Sequence, residues 1–367
     1  MSAPESPESQ AWSDFCAQLD AAGAKVLAHA ETDLDRAEGY RYLSRLARGG
    51  LERFLEHGDA QFPTVPTLTY NLKIGCDNPD AHYQHVTIDP AHSYRLSGAR
   101  GTVNYLGVGA YSGGYTSGAA TPGRQAYVEF NAPTGPDEWV DIIVSREEPA
   151  TLPDDTEWLQ TTNATRTLII RNFFADRETE RSSDLRIECL DRDRATPTPL
   201  TGRQVADGLA MAGLFVHGVV DLFVGWVDEL FRARPNTLDF LPADDTAGGW
   251  ADPNQLFRHG YWRLAEGEAL LIEFTPPECR YWNFQLNNIW EESLDYRTLS
   301  VTVNQHTARH EPDGSVRIVV AERDAGIGNW MDTAGHRHGT MGLRWNQAVA
   351  DVAPRCTVVP LADLGGR

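Results

Sequence analysis

Leu209–Val227 is almost wholly apolar and about as long as a membrane-spanning helix, so whatever this chain folds into has to cover it. Either lipid or protein can do so. Asp221 and His217 sit near its middle, and Gly213, Gly218 and Gly225 interrupt it. A central aspartate costs roughly 2.5–3.5 kcal/mol on insertion scales. The stretch therefore reads as a helix sandwiched inside protein, opened by the cap-like Thr201-Gly202-Arg203-Gln204 and closed by Pro235. No membrane insertion is expected.

The rest of the chain supplies the cover in two textures. From Ala11 to Glu56, apolar residues recur at three- and four-residue steps, which predicts at least two helices, broken at Gly49-Gly50. From Pro63 the texture changes to short strands separated by Gly and Pro turns, of which Asn78-Pro79-Asp80 is a clear signature. Strands are expected at Leu68–Cys76, Tyr83–Asp89, Tyr94–Leu96, Val103–Val108, Gln125–Phe130, Asp141–Ser145, Thr167–Ile170 and Leu185–Leu190, with Gly113, Gly114 and Gly118 in a loop. Beyond the apolar helix they resume at Ala269–Phe274 and Arg280–Leu286. Thr298–Asn304 and Val316–Ala321 read as a hairpin, and Thr340–Trp345 and Cys356–Pro360 close the series. The fold expected is mainly β, α+β overall. It comprises an N-terminal helical segment (1–60), a β-rich domain (61–200), a helical insert (201–235) and a jelly-roll-like β-sandwich C-terminal domain (236–367).

The balance of 52 acidic against 32 basic side chains gives a net charge of −20. This argues against nucleic acid and anionic membrane surfaces as partners, and for neutral or cationic ligands, although a local arginine cluster can still hold an anion. Arginine carries nearly all the positive charge, with lysine only at Lys25 and Lys73. The five cysteines are scattered and form no Cys-x-x-Cys pair, which fits reduced thiols in a cytoplasmic protein better than a disulfide framework or a thiolate zinc site.

Ile327–Trp345 is the stretch richest in chemistry. Gly328, Gly335 and Gly339 suit a loop; Asp332 can orient His336 as a general acid or base; and Arg344, in an apparent strand, offers a fork of donors to an anion. Trp330 and Asn329 beside them, with Tyr281, Trp282 and Trp290 just upstream, are expected to wall a pocket, and Asp80 and Tyr83 to shape its mouth.

Four motifs together resemble the bacterial family called domain of unknown function 1214. They are Asn78-Pro79-Asp80 with Ile88-Asp89 and Tyr94-Arg95, the strand Glu268–Glu273, the strand Tyr281–Leu286, and the string Gly328-Asn329-Trp330-Met331-Asp332-Thr333-Ala334-Gly335-His336. The resemblance covers about Gln255–Leu361 as the family domain, with the turn motif upstream. It implies a two-part β-rich protein with a jelly-roll-like C-terminal domain. It transfers no activity and no catalytic residues.

No Gly-x-Ser-x-Gly elbow, phosphate loop or dinucleotide fingerprint is present, so no nucleotide cofactor is expected. The leading expectation is an enzyme working on a hydrophobic small molecule by acid/base chemistry such as hydrolysis, hydration or isomerisation, with Arg344 or Arg171 stabilising an anion. The alternatives are a non-catalytic binder of a hydrophobic metabolite, and a metal-assisted enzyme using His336 and His338 with His306, His310 or Asp332. A homo-oligomer is compatible with all three.

Overall fold

Thr32 divides the N-terminal helical stretch. Its hydroxyl accepts from the Asp35 amide at 3.0 Å while Asp35 Oδ2 accepts from the Thr32 amide at 2.8 Å, a reciprocal cap that starts a new helix. Helix α1 (Pro7–His29) ends before this cap and α2 (Asp33–Leu51) begins at it. The break expected at Gly49-Gly50 is absent, because these glycines serve close packing. A Cβ at Gly49 would lie 2.8 Å from the Leu72 side chain, and one at Gly50 3.2 Å from the Ala212 carbonyl oxygen. The structure, a computed structural model, describes residues 6–66, 72–112, 115, 123–131, 133, 135, 138–240 and 252–364.

The apolar helix α3 (Gly202–Trp226) opens with a capping box between Thr201 and Gln204 and continues as one π-helical turn to Phe231. By length and composition the run Gly202–Phe231 could cross a membrane. Here its Phe215, Val216, Val219, Val220 and Phe223 pack with Val26, Leu43 and Leu46 of α1 and α2 and with Trp290.

Upstream of α3 run β1 (Ala81–Thr87), β2 (Tyr94–Ala99), β3 (Tyr105–Ser112), β4 (Gly123–Phe130), β5 (Trp139–Ser145), β6 (Glu157–Gln160), β7 (Thr165–Phe173) and β8 (Asp184–Cys189). They form two sheets, β1-β7-β3-β4 and β6-β5-β2-β8, closed over a core that includes Val86, Leu96, Val108, Ile142 and Ile170. Downstream come β9 (Thr237–Phe240), β10 (Gln255–Arg263), β11 (Glu268–Phe274), β12 (Tyr281–Leu286), β13 (Thr302–Asn304), β14 (Val316–Ala321), β15 (Asn329–Asp332), β16 (His338–Asn346) and β17 (Arg355–Pro360). Sheets β10-β16-β12-β13 and β15-β14-β11-β17 enclose a second core that includes Trp262, Ile272, Phe284, Leu343 and Trp345. The protein is thus mainly β, with two sandwiches and helices against them. The chain crosses repeatedly between the two downstream sheets, as in a jelly roll.

Three local expectations are corrected. β13 pairs with β12 and β14 with β11, so the two expected hairpin strands lie in different sheets. Asn329–Asp332 is a strand parallel to β14 rather than a loop. The segment 72–76 is not a strand, since Gly75 and Cys76 both have φ of +58°, which no pleated strand accommodates; residues 68–71 of that expected strand, and Gly113, Gly114 and Gly118, lie outside the described residues.

The two-residue period of β12 and β16 decides what the molecule can do. Trp282, Phe284 and Leu286, with Met341, Leu343 and Trp345, point into the sandwich core. The alternate positions, Tyr281, Asn283 and Gln285 with Thr340 and Arg344, form a polar row that is buried as well. A polar sheet face normally meets water; this one meets the residue 73–80 segment and the upstream sandwich. On the core-facing side of β16, Gly339 lies against the Asn287 carbonyl oxygen and the Trp262 ring, and a Cβ there would overlap that oxygen. We expect Gly339→Ala to cost roughly 1–3 kcal/mol or more by overpacking, read as a lower midpoint in chemical denaturation.

Candidate functional site

The polar row is satisfied by a chain of bonds. Arg344 donates to Gln285 Oε1 and to the Cys76 carbonyl, reaches Asn283 Oδ1 at 3.4 Å, and stacks 4.0 Å from the centre of the Phe257 ring. The Asn283 amide donates to Asn78 Oδ1 at 3.0 Å. Asn78 in turn donates to the Tyr281 hydroxyl at 3.2 Å, which donates to Asp80 at 2.8 Å. Burial raises Asp80 from the usual carboxylate range, against the pull of its bonds from Asn304 and Tyr281. The Asn78-Pro79-Asp80 turn therefore plugs into the outer face of β12.

The opposite wall comes from the upstream sandwich. On β1, β3, β4 and β7, one face carries Tyr83, His85, Tyr111, Tyr127 and Arg171. Arg171 donates to the Tyr111 hydroxyl at 2.7 Å and lies 5.2 Å from the centre of that ring. Tyr127 donates to Asp252 at 2.9 Å. Although burial opposes its charge, Arg171 is held above the usual guanidinium range by the surrounding phenols and Asp252.

Arg53, Tyr83, His85, Tyr115 and Tyr127 are deep enough for burial to be the largest influence on their ionisation. Yet each keeps accessible surface. Burial lowers Arg53 to about 10 and raises Tyr115 to about 12. Burial, reinforced by the charges of Arg53 and Arg171, holds His85 well below the usual imidazole range. The charges of Arg344 and Arg171 both act on Tyr83. The charge of Arg171 on β7 is thus common to these groups, with Arg344 on β16 also acting on Tyr83 and Arg53, in the π-helical turn after α2, also acting on His85 and Tyr115.

The expected site at His336 is built differently. Asp332 does not hold His336; its Oδ1 accepts from the Ala334 amide at 2.8 Å, capping a turn. His336 Nε2 lies 2.8 Å from Glu38 Oε2 on α2, and Nδ1 lies 3.0 Å from the Thr333 carbonyl. Both partners are acceptors, so both ring nitrogens carry protons and neither lone pair is left for a base. His338 Nε2 meets Asp35, also on α2, at 3.2 Å, while its Nδ1 faces the Tyr261 hydroxyl at 2.6 Å. This seam fastens α2 to β16. A cleft of about 130 Å³ beside His336 is lined by Leu264, Glu268, Glu322, Thr333 and Arg337 among others, and by none of the expected tryptophans. It is too small for a hydrophobic metabolite, whose sites run to about 300 Å³ or more.

The other expected walls are structural. Trp282 faces the sandwich core, because the strand period separates it from Tyr281. Trp330 donates to the Ala321 carbonyl at 3.0 Å, and Asn329 bridges the Arg309 and Arg317 carbonyls at 3.0 and 2.9 Å. Trp290 donates to the Asp35 carbonyl at 2.9 Å and packs on α2. Of the expected site residues, the structure gathers Arg344, Tyr281, Asp80 and Tyr83 between the sandwiches and leaves His336, Asp332, Asn329, Trp282, Trp290 and Trp330 elsewhere. Sequence reasoning did not assemble Arg53, His85, Tyr115 and Tyr127 with them. Among the described residues, groups spaced to hold a metal are Cys76–His259–Glu291 and the more exposed His92–Cys189–Asp191; neither contains His336 or His338.

No family model matches the chain, and no curated protein matches it. Among solved structures it is similar to an uncharacterized protein from Burkholderia cenocepacia, with 40% sequence identity and a TM-score of 0.88 over 96% of this chain and 98% of that one. It is also similar to the VPA0106 protein from Vibrio parahaemolyticus, with 13% identity and a TM-score of 0.49 over 87% of this chain and 97% of that one, a likeness too slight to argue from.

Proposed function

This chain belongs to the family of the Burkholderia cenocepacia protein, and we propose that it is an enzyme for a small apolar or aromatic molecule bearing an anionic group, held in a hollow between the two sandwiches. What supports the reading is the grouping of buried cations and phenols: Arg171 bonds Tyr111 and its charge acts on Tyr83, Tyr115 and Tyr127, with Arg344 also acting on Tyr83 and Arg53 on Tyr115. Guanidinium forks match carboxylates, and phenol rings supply flat apolar surface with a polar tip. His85 is the candidate acid/base group: burial and the charges of Arg53 and Arg171 keep its imidazole uncharged and weakly basic, and a bound anionic group, by offsetting those charges, would raise its readiness to take a proton. Hydrolysis, hydration and isomerisation all fit such a site. Membership of the family called domain of unknown function 1214 is part of the same proposal, supported by the string Asn329–His336.

The experiment starts from whatever molecule native mass spectrometry finds on freshly purified protein, or from a panel of aromatic and aliphatic carboxylates screened by thermal shift. With the molecule so found, His85→Gln should lower kcat by about 10²–10⁴-fold while leaving KM within a few-fold. Unchanged kcat removes His85 from the chemistry. Binding without turnover in the wild type leaves a carrier instead of an enzyme.

A further inference from the structure

Cys76, His259 and Glu291 come from three separate parts of the chain: the segment after α2, strand β10, and the loop after β12. One donor atom from each lies within 4.8 Å of the others. All three side chains are buried. His259 Nδ1 is 3.9 Å from Glu291 Oε2, and the Glu291 carboxylate, which has Thr340 beside it, makes no ion pair shorter than this among the described residues. A carboxylate with no exposure and no close cation is costly and calls for a positive partner.

The backbone is shaped for this meeting. Cys76 and Glu291 both take φ of +58°, rare for residues with side chains, and the Cys76 amide donates to the Glu291 carbonyl at 2.7 Å. Such conformations persist where the surroundings enforce them, and they gather at functional sites. The Cys76 sulfur sits against Gly342, where a Cβ would come within 2.9 Å of it. Asn287 Nδ2, at 3.0 Å, is placed to donate to that sulfur, as outer partners of metal-bound thiolates do. The His259 ring is held by Phe231, stacked at 5.2 Å, and Phe257 at 3.7 Å.

We propose that Cys76, His259 and Glu291 bind a divalent transition-metal ion, zinc by the mix of sulfur, nitrogen and oxygen donors, with a fourth position left for water or a ligand. Two anionic donors balance the ion, so the nearby Arg344 guanidinium is not left facing an uncompensated dication. The site lies beside the hollow, since Phe257 touches both His259 and Arg344. It does not depend on the hollow's ligand.

The test uses the full chain produced in zinc-supplemented medium and desalted. Elemental analysis should find about one zinc per chain. Replacing zinc with cobalt(II) should give a near-ultraviolet thiolate-to-cobalt band that disappears in Cys76→Ser and persists in Cys189→Ala. Glu291→Gln should weaken cobalt binding at least about tenfold. Circular dichroism establishes that each variant folds, and absence of the thiolate band from the wild-type complex would end the proposal without any variant. Metal well below one per chain after reconstitution, or a cobalt complex lacking the thiolate band, overturns the proposal. A band lost in Cys189→Ala and kept in Cys76→Ser overturns it in favour of the exposed group.

Discussion

Glu38→Ala is expected to destabilise the folded chain by about 3–5 kcal/mol, because it leaves the buried His336 imidazolium without its carboxylate. The 2.8 Å pair ties α2 to the turn leading into β16 across 298 residues of sequence. Burial alone would raise Glu38 and lower His336. Their mutual bond and charge outweigh burial in both, so Glu38 sits below its ordinary pKa and His336 above its own. The signs follow from linkage. The Glu38 contribution is present above the ordinary glutamate value and is lost as pH falls through its depressed folded-state pKa. The His336 contribution is present below the ordinary histidine value and is lost as pH rises through its raised folded-state pKa. Stability from the pair is therefore greatest between the two ordinary values and declines on both sides. Urea denaturation across pH checks this: the wild-type midpoint should show both declines, and Glu38→Ala should flatten them. In the double variant with His336→Ala, part of the loss should return, since no charge is then stranded. A single variant as stable as the wild type would remove the fastening role from this seam.

That seam shows why the fold was legible in the sequence and the site was not. Strands such as Ala269–Phe274 and Thr340–Trp345 announce themselves through a local period, and the capping box at Thr201 is written in adjacent residues. His336 looked catalytic because Asp332 is its neighbour in sequence. Its actual partner is on a helix at the other end of the chain, and no local pattern points there. The strand Tyr281–Leu286 did hold a usable signal. Asn283 and Gln285 alternate with Trp282 and Phe284, so a polar face opposite an apolar one was implied. The same period places Trp282 and Arg344 on opposite faces, which excludes a pocket lined by both. The hollow itself was invisible because its walls, from Arg53 to Arg344, look one by one like ordinary strand and helix residues.

Arg171→Met should abolish most binding of the anionic ligand, weakening it by at least about 30-fold, or roughly 2 kcal/mol, while the sandwich fold persists. Arg171 is the guanidinium whose charge acts on Tyr83, His85, Tyr115 and Tyr127 together. Removing it takes away attraction for an anion and also the push that keeps His85 uncharged, so the His85 pKa should rise toward its ordinary value. Methionine keeps the apolar length of the side chain, and Arg53→Met provides an independent second removal from the other side of the hollow. Titration calorimetry with the carboxylate identified in the panel measures both. Equal affinity in the wild type and both variants would place the ligand elsewhere.

A crystal of the wild-type chain soaked with that carboxylate examines the central claim most directly. The molecule should lie between the two sandwiches, its carboxylate oxygens about 3 Å from the Arg171 or Arg53 guanidinium and its body against Tyr83 and Tyr127. A molecule bound in the cleft beside His336, or a hollow that stays free of it at saturating concentration, would contradict the account.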